Sequence, residues 1–381
     1  MSAPSLSLGD AERYLLSLEL FGMRFGLDRM RRLMTALGHP QNEFDSVHVV
    51  GSNGKSSTAR MIAAILARHG LRTGSYTSPH LTSFTERIQV LEQDLVPAAF
   101  GAAVGRAAHA AELVNRSLEG DDRVTQFEAL TASAYSELAR RGVGVAAIEA
   151  GLGGRYDATN VIPSKVQVLT TVGLEHTRWL GPTITHIARE KLDVVQPGGT
   201  LVLGNGLHPD AVAVAREVAA SRGARIVDAP DDPGVPVAAL GSFQRRNFAV
   251  ARTAAQVYLG SLDEQAVADA AAHTRVPGRL QIIARDPLTI LDGAHNPEGV
   301  SAVVESLGEP FATGRSSLVA VLSILDDKDA AGMLKVLLPA CDALVFTSSH
   351  NPRALPAPTL QSLARQLEGP SAEIVRDPRA A

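Results

Sequence analysis

Within residues 47–58 stand the groups that hold a polyphosphate: Gly51, Ser52, Asn53, Gly54, Lys55, Ser56 and Ser57. Glycines let backbone N–H groups close around phosphate oxygens, and a following helix N-terminus adds positive partial charge. Lysine neutralises the outer phosphates. The apolar run Val47–Val50 leads into this turn. Behind it Met61, Ile62, Ile65 and Leu66 recur at helical spacing, with Gly70 as a stop. Strand, glycine turn, lysine, hydroxyl, helix is the P-loop order, although Val49 stands where the standard pattern has a glycine. The plain alternative is a tight strand-to-helix turn with an exposed lysine.

Other strand ends offer chemistry too. Val143–Ile148 is an unbroken apolar run that delivers Glu149, with Gly151, Gly153 and Gly154 behind it. A carboxylate at the tip of a buried strand suits a magnesium site, because hard cations take oxygen ligands. A strand over 166–172 ends in Glu175 and His176, and a strand over 72–78 runs into Ser78, Pro79 and His80. Open parallel sheets present ligands at such places. Several polar residues have structural alternatives. Thr125 and Glu128 have capping-box spacing. Asn247 is placed to cap a helix running to Leu259. Lys191, in a helix over 184–195, would ordinarily be a solvated charge.

These positions need a scaffold, and strand alternates with helix along the chain. Helices are expected over 97–118, 125–141, 209–222 and 265–273, and strands at 200–203 and 224–227. Near the N-terminus helical periodicity over 11–37 breaks around Gly22–Gly26. A boundary falls at Val276–Arg279, after which strands at 280–284, 289–291, 318–322 and 343–347 alternate with helices. The expectation is parallel α/β architecture in two domains, 1–277 and 278–381.

Composition narrows the class. The 381 residues suffice for two domains. A net charge of −4 and 4% aromatic residues argue against a nucleic-acid platform. A single cysteine, Cys341, forms no intrachain disulfide and fits a reducing cytoplasm. Asp10, Glu12 and Arg13 mark an amphipathic start instead of a signal peptide, and no apolar run is long enough to span a bilayer.

Taken in order, these blocks resemble the folylpolyglutamate synthase / dihydrofolate synthase family of the Mur ligase superfamily. Gly51–Ser57 is similar to the family P-loop, and Ser78–Leu81, Phe84–Ile88 and Glu149–Asn160 match further blocks. Gly173–Thr177, Leu180-Gly181, Ile187–Lys191, Pro277–Arg279 and Leu291–Pro297 follow in the family order. The resemblance implies a P-loop mononucleotide-binding parallel-sheet domain followed by a smaller Rossmann-like α/β domain. It implies an ATP-dependent ligase that joins L-glutamate to dihydropteroate, to reduced folates, or to both. Gly51 to Ser57, Asn247, Arg279 and Asp292 would contact ATP. Ser78, Glu149 and His176 match magnesium ligands, and K+ stands beside Mg2+ as an ion of the reaction. Lys55, His176, Lys191, Asp292 and His295 are the expected catalytic set, with Lys191 at a position carbamylated in many superfamily members. Phe84, Arg87, Thr125, Phe127 and Asp157 would line the folate side. The partners are small molecules, with no nucleic acid and no membrane, for a cytoplasmic monomer. Three departures stand out: Ser56 replaces a glycine, Glu175 replaces an aspartate, and the family usually continues to a final strand with a Thr-Gly-Ser turn where this chain stops at Ala381, so the second domain reads as truncated or that part of the site is built differently. The alternatives are a Mur-type ligase for another acid, and a nucleotide-binding relative with a lost or regulatory function.

Overall fold

The computed structural model describes residues 5–18, 26–308 and 317–380. The chain divides into two compact units, Met1–Ala239 with Gln244–Val276, and Leu240–Phe243 with Pro277–Ala381. The first unit holds β1 (Asp45–Val50), β2 (Thr73–Tyr76), β3 (Ile88–Val90), β4 (Gln93–Asp94), β5 (Val145–Glu149), β6 (Val166–Leu169), β7 (Thr200–Leu203) and β8 (Arg225–Asp228). They form one sheet in the order β4-β3-β2-β5-β1-β6-β7-β8. Six strands are parallel, and β3 and β4 extend one edge antiparallel.

β1 lies in the middle with both faces covered, Val47 and Val49 on one and Val50 beside the buried Ser46 and His48 on the other. Val47 and Val49 pack with Ile62, Ile65, Phe248 and Ala251. Val50, on the opposite face, packs with Ala150, Leu169 and Ile187. That alternation is the two-residue period of a strand. Val49 pairs with Glu149 on one side and Val168 on the other. Three neighbouring parallel strands therefore release their chains at Gly51, Ala150 and Thr170 along a single sheet edge.

The helix carrying Asn247 spans Ser242–Leu259, so Asn247 is an interior helical residue and not the cap expected of it. Gln244, Phe248, Ala251 and Ala255 are all buried at helical spacing, and this buried face carries the helix upstream of Asn247. The break expected around Gly22–Gly26 falls mostly on 19–25, outside the described residues. Helices Leu8–Ser17 and Asp28–Ala36 flank it.

In the second unit β9 (Gln281–Arg285) and β10 (Leu288–Leu291) pair antiparallel. This corrects the expectation of parallel alternation throughout. Asp286 and Pro287 alone join the two strands, and a parallel crossover needs a dozen or more residues. The parallel part consists of β11 (Val319–Leu322), β12 (Ala343–Phe346) and β13 (Ala372–Ile374) in that order. Leu334, Leu344, Phe346 and Leu360 form its core. β13 lies beyond the strands that periodicity marks, since three residues are too short to show a pattern.

Candidate active site

The turn after β1 is built from its glycines and from the neighbouring strand. Gly51 has φ +150° and Gly54 has φ +83°, and a side chain on either would strike Thr170 Oγ1 or Asn247 Oδ1 respectively. The segment after β6 holds the turn in place. Ser52 N donates to Thr171 O (2.8 Å), Asn53 N donates to Thr171 Oγ1 (2.8 Å), and Thr170 Oγ1 donates to Asn53 O (2.7 Å). Ser52 Oγ accepts from Gly173 N at 3.0 Å. The helix Lys55–Arg68 starts directly after Gly54, so its first N–H groups open at the turn. Lys55 Nζ donates to Gly51 O (2.9 Å) and Ser52 O (3.1 Å). Sequence reasoning missed Thr170 and Thr171. Their only signal was a pair of hydroxyls directly after a buried strand.

Beside the turn, Glu149 gathers two other candidates. Ser56 Oγ donates to Glu149 Oε1 at 2.9 Å, and Ser78 N donates to Glu149 Oε2 at 2.8 Å. Ser56 Oγ also lies 3.4 Å from Ser78 O. Glu149 is 2% exposed, at the tip of β5. Carboxylate, hydroxyl and carbonyl oxygens converge here. Among the described residues no group of three or more His, Cys, Asp and Glu could hold a metal ion. A divalent ion at this place would rest on mixed oxygens and phosphate. That donor set fits magnesium, which commonly uses one or two carboxylates plus phosphates.

A second lysine reaches the same carbonyl as Lys55. Lys191 Nζ donates to Gly51 O and to Glu175 Oε1, each at 2.9 Å. Lys191 is 1% exposed, which corrects the expectation of a solvated charge. Ile187, Ala188 and Leu192 on its helix, Ile184–Leu192, are buried in the core and draw the lysine inward. Burial pushes its pKa down to about 8, against the upward pull of Glu175; the Lys55 charge adds to the lowering. Burial alone would raise the Glu175 carboxyl, but Lys191 and Lys55 outweigh it and hold it at about 2. His176 follows Glu175 directly with φ +48° and opens the short helix Thr177–Leu180.

The residues expected on the folate side fall into two groups. Arg87 lies over the Phe84 ring, 5.3 Å from its centroid, and donates through Nε to His80 Nδ1 at 2.9 Å. Phe127 sits against Tyr76, ring centroids 6.1 Å apart. Asp157 is buried and accepts from Leu152 N (2.7 Å) and Thr159 N (3.0 Å), so it braces the glycine-rich turn behind Glu149. Thr125 caps the helix Gln126–Arg140 in a reciprocal capping box with Glu128.

The second unit brings Arg279, Asp292 and His295 together. Asp292 accepts from Leu280 N (2.8 Å) and Ala294 N (2.7 Å). Burial raises its pKa, opposed by those two N–H groups and by the charges of Arg279 and His295. Arg279 packs so closely on Gly293 that a side chain there would meet its guanidinium. His295 Nδ1 lies 3.0 Å from Gly293 O.

Known proteins share this construction. Residues 278–381 match the family described as Mur ligase, glutamate ligase domain. The chain is 36% identical over 364 residues to folylpolyglutamate synthase of Lacticaseibacillus casei, covering 88% of this chain and 84% of that one. It is 34% identical over 395 residues to dihydrofolate synthase/folylpolyglutamate synthase of Mycobacterium tuberculosis, covering 92% and 80%. The solved structure of Mycobacterium tuberculosis folylpolyglutamate synthase complexed with ADP and AMPPCP has a TM-score of 0.91 at 32% identity, covering 98% of this chain and 89% of that one. E. coli FolC in complex with DHPP and ADP has a TM-score of 0.84 at 28% identity, covering 97% and 89%.

Proposed function

The chain belongs to the folylpolyglutamate synthase / dihydrofolate synthase family, and we propose how its residues divide that family's work. It is an ATP-dependent ligase that adds L-glutamate to dihydropteroate and/or to reduced folates. The observation that carries the site assignment is the meeting of Ser56 and Ser78 on Glu149 beside the lysine-bearing turn.

A carboxylate does not condense with an amine at neutral pH, because oxide is a poor leaving group. Transfer of the ATP γ-phosphoryl to a carboxylate oxygen gives an acyl phosphate and ADP. The glutamate amine attacks the acyl carbon and loses a proton. The tetrahedral intermediate then expels inorganic phosphate and leaves the amide. The chain's part is to position groups and stabilise charge. Lys55 leaves the carbonyls of Gly51 and Ser52 for the phosphates, and the N–H groups of the 51–57 turn hold their oxygens. Asn247, against Gly54, limits how far that turn can open. Ser56, Ser78, Glu149 and His176 are the residues that would hold magnesium. When bound, the ion neutralises charge on the transferring phosphoryl group.

Lys191 is assigned to carbamylation. Only a neutral amine attacks carbon dioxide, and burial brings its pKa down to about 8, where neutral amine is available near neutral pH. Arg279, Asp292 and His295 are assigned to the nucleotide and the incoming amine. Phe84, Arg87, Phe127 and Asp157 are assigned to the acid substrate. The enzyme acts on small molecules as a cytoplasmic monomer. Among the described residues no helix is long and apolar enough to cross a membrane.

The test is ATP-dependent phosphate release with L-glutamate, Mg2+ and K+, run separately with dihydropteroate and with tetrahydrofolate. Product masses are checked in each. Turnover with dihydropteroate alone makes it a dihydrofolate synthase, with tetrahydrofolate alone a folylpolyglutamate synthase, and with both a bifunctional enzyme. Silence with both while ATP still binds would refute the ligase assignment for this chain.

A further inference from the structure

We propose that His48 is a positioning residue for the acid substrate, acting through Thr159 on Asp157; the inference rests on the assignment of Asp157 made above. His48 lies in the middle strand β1, just ahead of Gly51, and is fully buried. Its Nε2 is 2.8 Å from Thr159 Oγ1. The Thr159 hydroxyl has a single hydrogen and donates it to Asp157 Oδ1. The ring must therefore be the donor to Thr159, so Nε2 carries the proton and Nδ1 does not. Burial pushes the His48 pKa down to about 4, so the ring is neutral throughout the working range.

The far end of the relay is anchored. Asp157 Oδ2 accepts from Leu152 N at 2.7 Å, and Tyr135 Oη donates to Thr159 O at 2.9 Å. The carboxylate is thus tied to β1 through one oxygen and to the turn behind Glu149 through the other. The relay joins the strand that ends in the phosphate turn to the loop that bears the acid-side carboxylate.

Stability alone does not account for a histidine here. Its Nδ1 is buried with no hydrogen-bond partner among the described residues. An unsatisfied buried polar atom keeps the full cost of leaving water. On the same face of the strand Val50 is fully buried in the core, so an aliphatic side chain packs well beside His48. What the histidine supplies and valine or leucine cannot is the Nε2–H donor that fixes the Thr159 hydroxyl toward Asp157.

The experiment compares His48→Leu, which fills the space without a donor, with His48→Gln, which places an amide N–H near the Nε2 position. Steady-state KM values for the acid substrate and for ATP are measured on protein that melts cooperatively. The expected result is an acid KM raised about tenfold in His48→Leu with an ATP KM within about twofold of wild type, and a return to within about threefold in His48→Gln. Wild-type acid KM in His48→Leu overturns the proposal. So does an equal rise of both KM values, or a folded His48→Gln without recovery. If His48→Leu does not fold, Thr159→Val and Thr159→Ser make the same comparison, since only serine keeps the hydroxyl. Asp157→Asn separates the two levels of inference. An unchanged acid KM there refutes the Asp157 assignment. A raised acid KM in Asp157→Asn beside a normal one in His48→Leu refutes the relay alone.

Discussion

Around Gly51, polar side chains arrive from the ends of four neighbouring parallel strands and from the helix of Lys191, and all are buried or half-buried. Thr170 and Thr171 brace the turn, Lys55 and Lys191 share one carbonyl, and Ser56 and Ser78 share one carboxylate. Around Asp292 the groups come from one stretch of chain, Arg279 to His295, on and beside a hairpin whose strands are mostly exposed. Its hydrogen bonds are short-range in sequence, from Leu280 N and Ala294 N to Asp292. Mostly long-range, largely half-buried bonds make the first region stiff before any ligand arrives, at the risk that each lost partner strands another. Local bonds let the second region carry its side chains as a piece. Substitutions in the first region should therefore change both chemistry and stability, and those in the second chemistry alone.

The largest expected effect is at Lys55. Lys55→Ala removes the cation next to the transferring phosphoryl group and should lower ADP formation on the order of 10³-fold. Retained turnover above about a tenth of wild type would sink its assigned role. Glu149→Gln comes next. It should lower turnover on the order of 10²-fold and shift the Mg2+ requirement upward. One donor of the Ser56–Ser78 pair would then face an amide N–H, so denaturant melts should show about 1–3 kcal/mol of lost stability. A full loss of activity with an unchanged melt would break the claim that the Gly51 region couples the two. His295→Ala is the counterpart in the second unit. It should lower kcat about tenfold while stability stays within about 0.5 kcal/mol. A collapse of the melt there would show that the local cluster is not independent.

A pH titration sharpens the same contrast. With Lys191 unmodified, the Glu175 carboxyl is held at about 2, below its usual 4.5, once the cations Lys191 and Lys55 outweigh burial. A depressed carboxylate contributes stability above its unfolded pKa and loses it as pH falls through the folded one. The contribution is thus complete above about 4.5 and fades toward about 2. Acid melts of Glu175→Gln should be shallower than wild type across that window, and identical slopes would count against the pairing. Lys191 acts in the other direction. Burial lowers its pKa from 10.5 to about 8, so the folded state sheds its proton first and stability rises as pH climbs between those values. The smallest effect is at Thr125. Thr125→Ala removes a helix cap and should cost about 1 kcal/mol. An acid KM that also rises would support the folate-side role expected from the resemblance.

What was legible in the residues was whatever chain order alone determines. Gly51–Ser57 read as a phosphate turn because the glycines, the lysine and the following helical period are contiguous. Glu149 read as a site acid because an unbroken apolar run ends on it. From the residues alone Asn247 reads as a possible cap, and only the resemblance marks it for ATP, since a lone asparagine carries no sign that Gly54 is pressed against it. Lys191 read as solvated because its burial depends on a helix packing over β1 and β6. His48 gave no signal, and Thr170 and Thr171 only a pair of hydroxyls after a strand, since their partners Thr159 and Asn53 lie more than a hundred residues away in the chain. The Asp286–Pro287 connection was legible in principle as a hairpin, because two residues cannot carry a crossover.

The sheet order has a kinetic consequence. β5 pairs with β1 only after the chain between residues 51 and 144 has been closed into a loop, and β6 pairs with β1 across a longer one. Loop-closure entropy makes such contacts late arrivals on a folding route. Gly51, Glu149 and Thr170 become neighbours only when both pairings exist, so a half-folded chain has no nucleotide site to offer. Nucleotide retention is therefore a readout of completed folding, and a chain emerging from synthesis gains its ligand as a late event that locks the whole sheet.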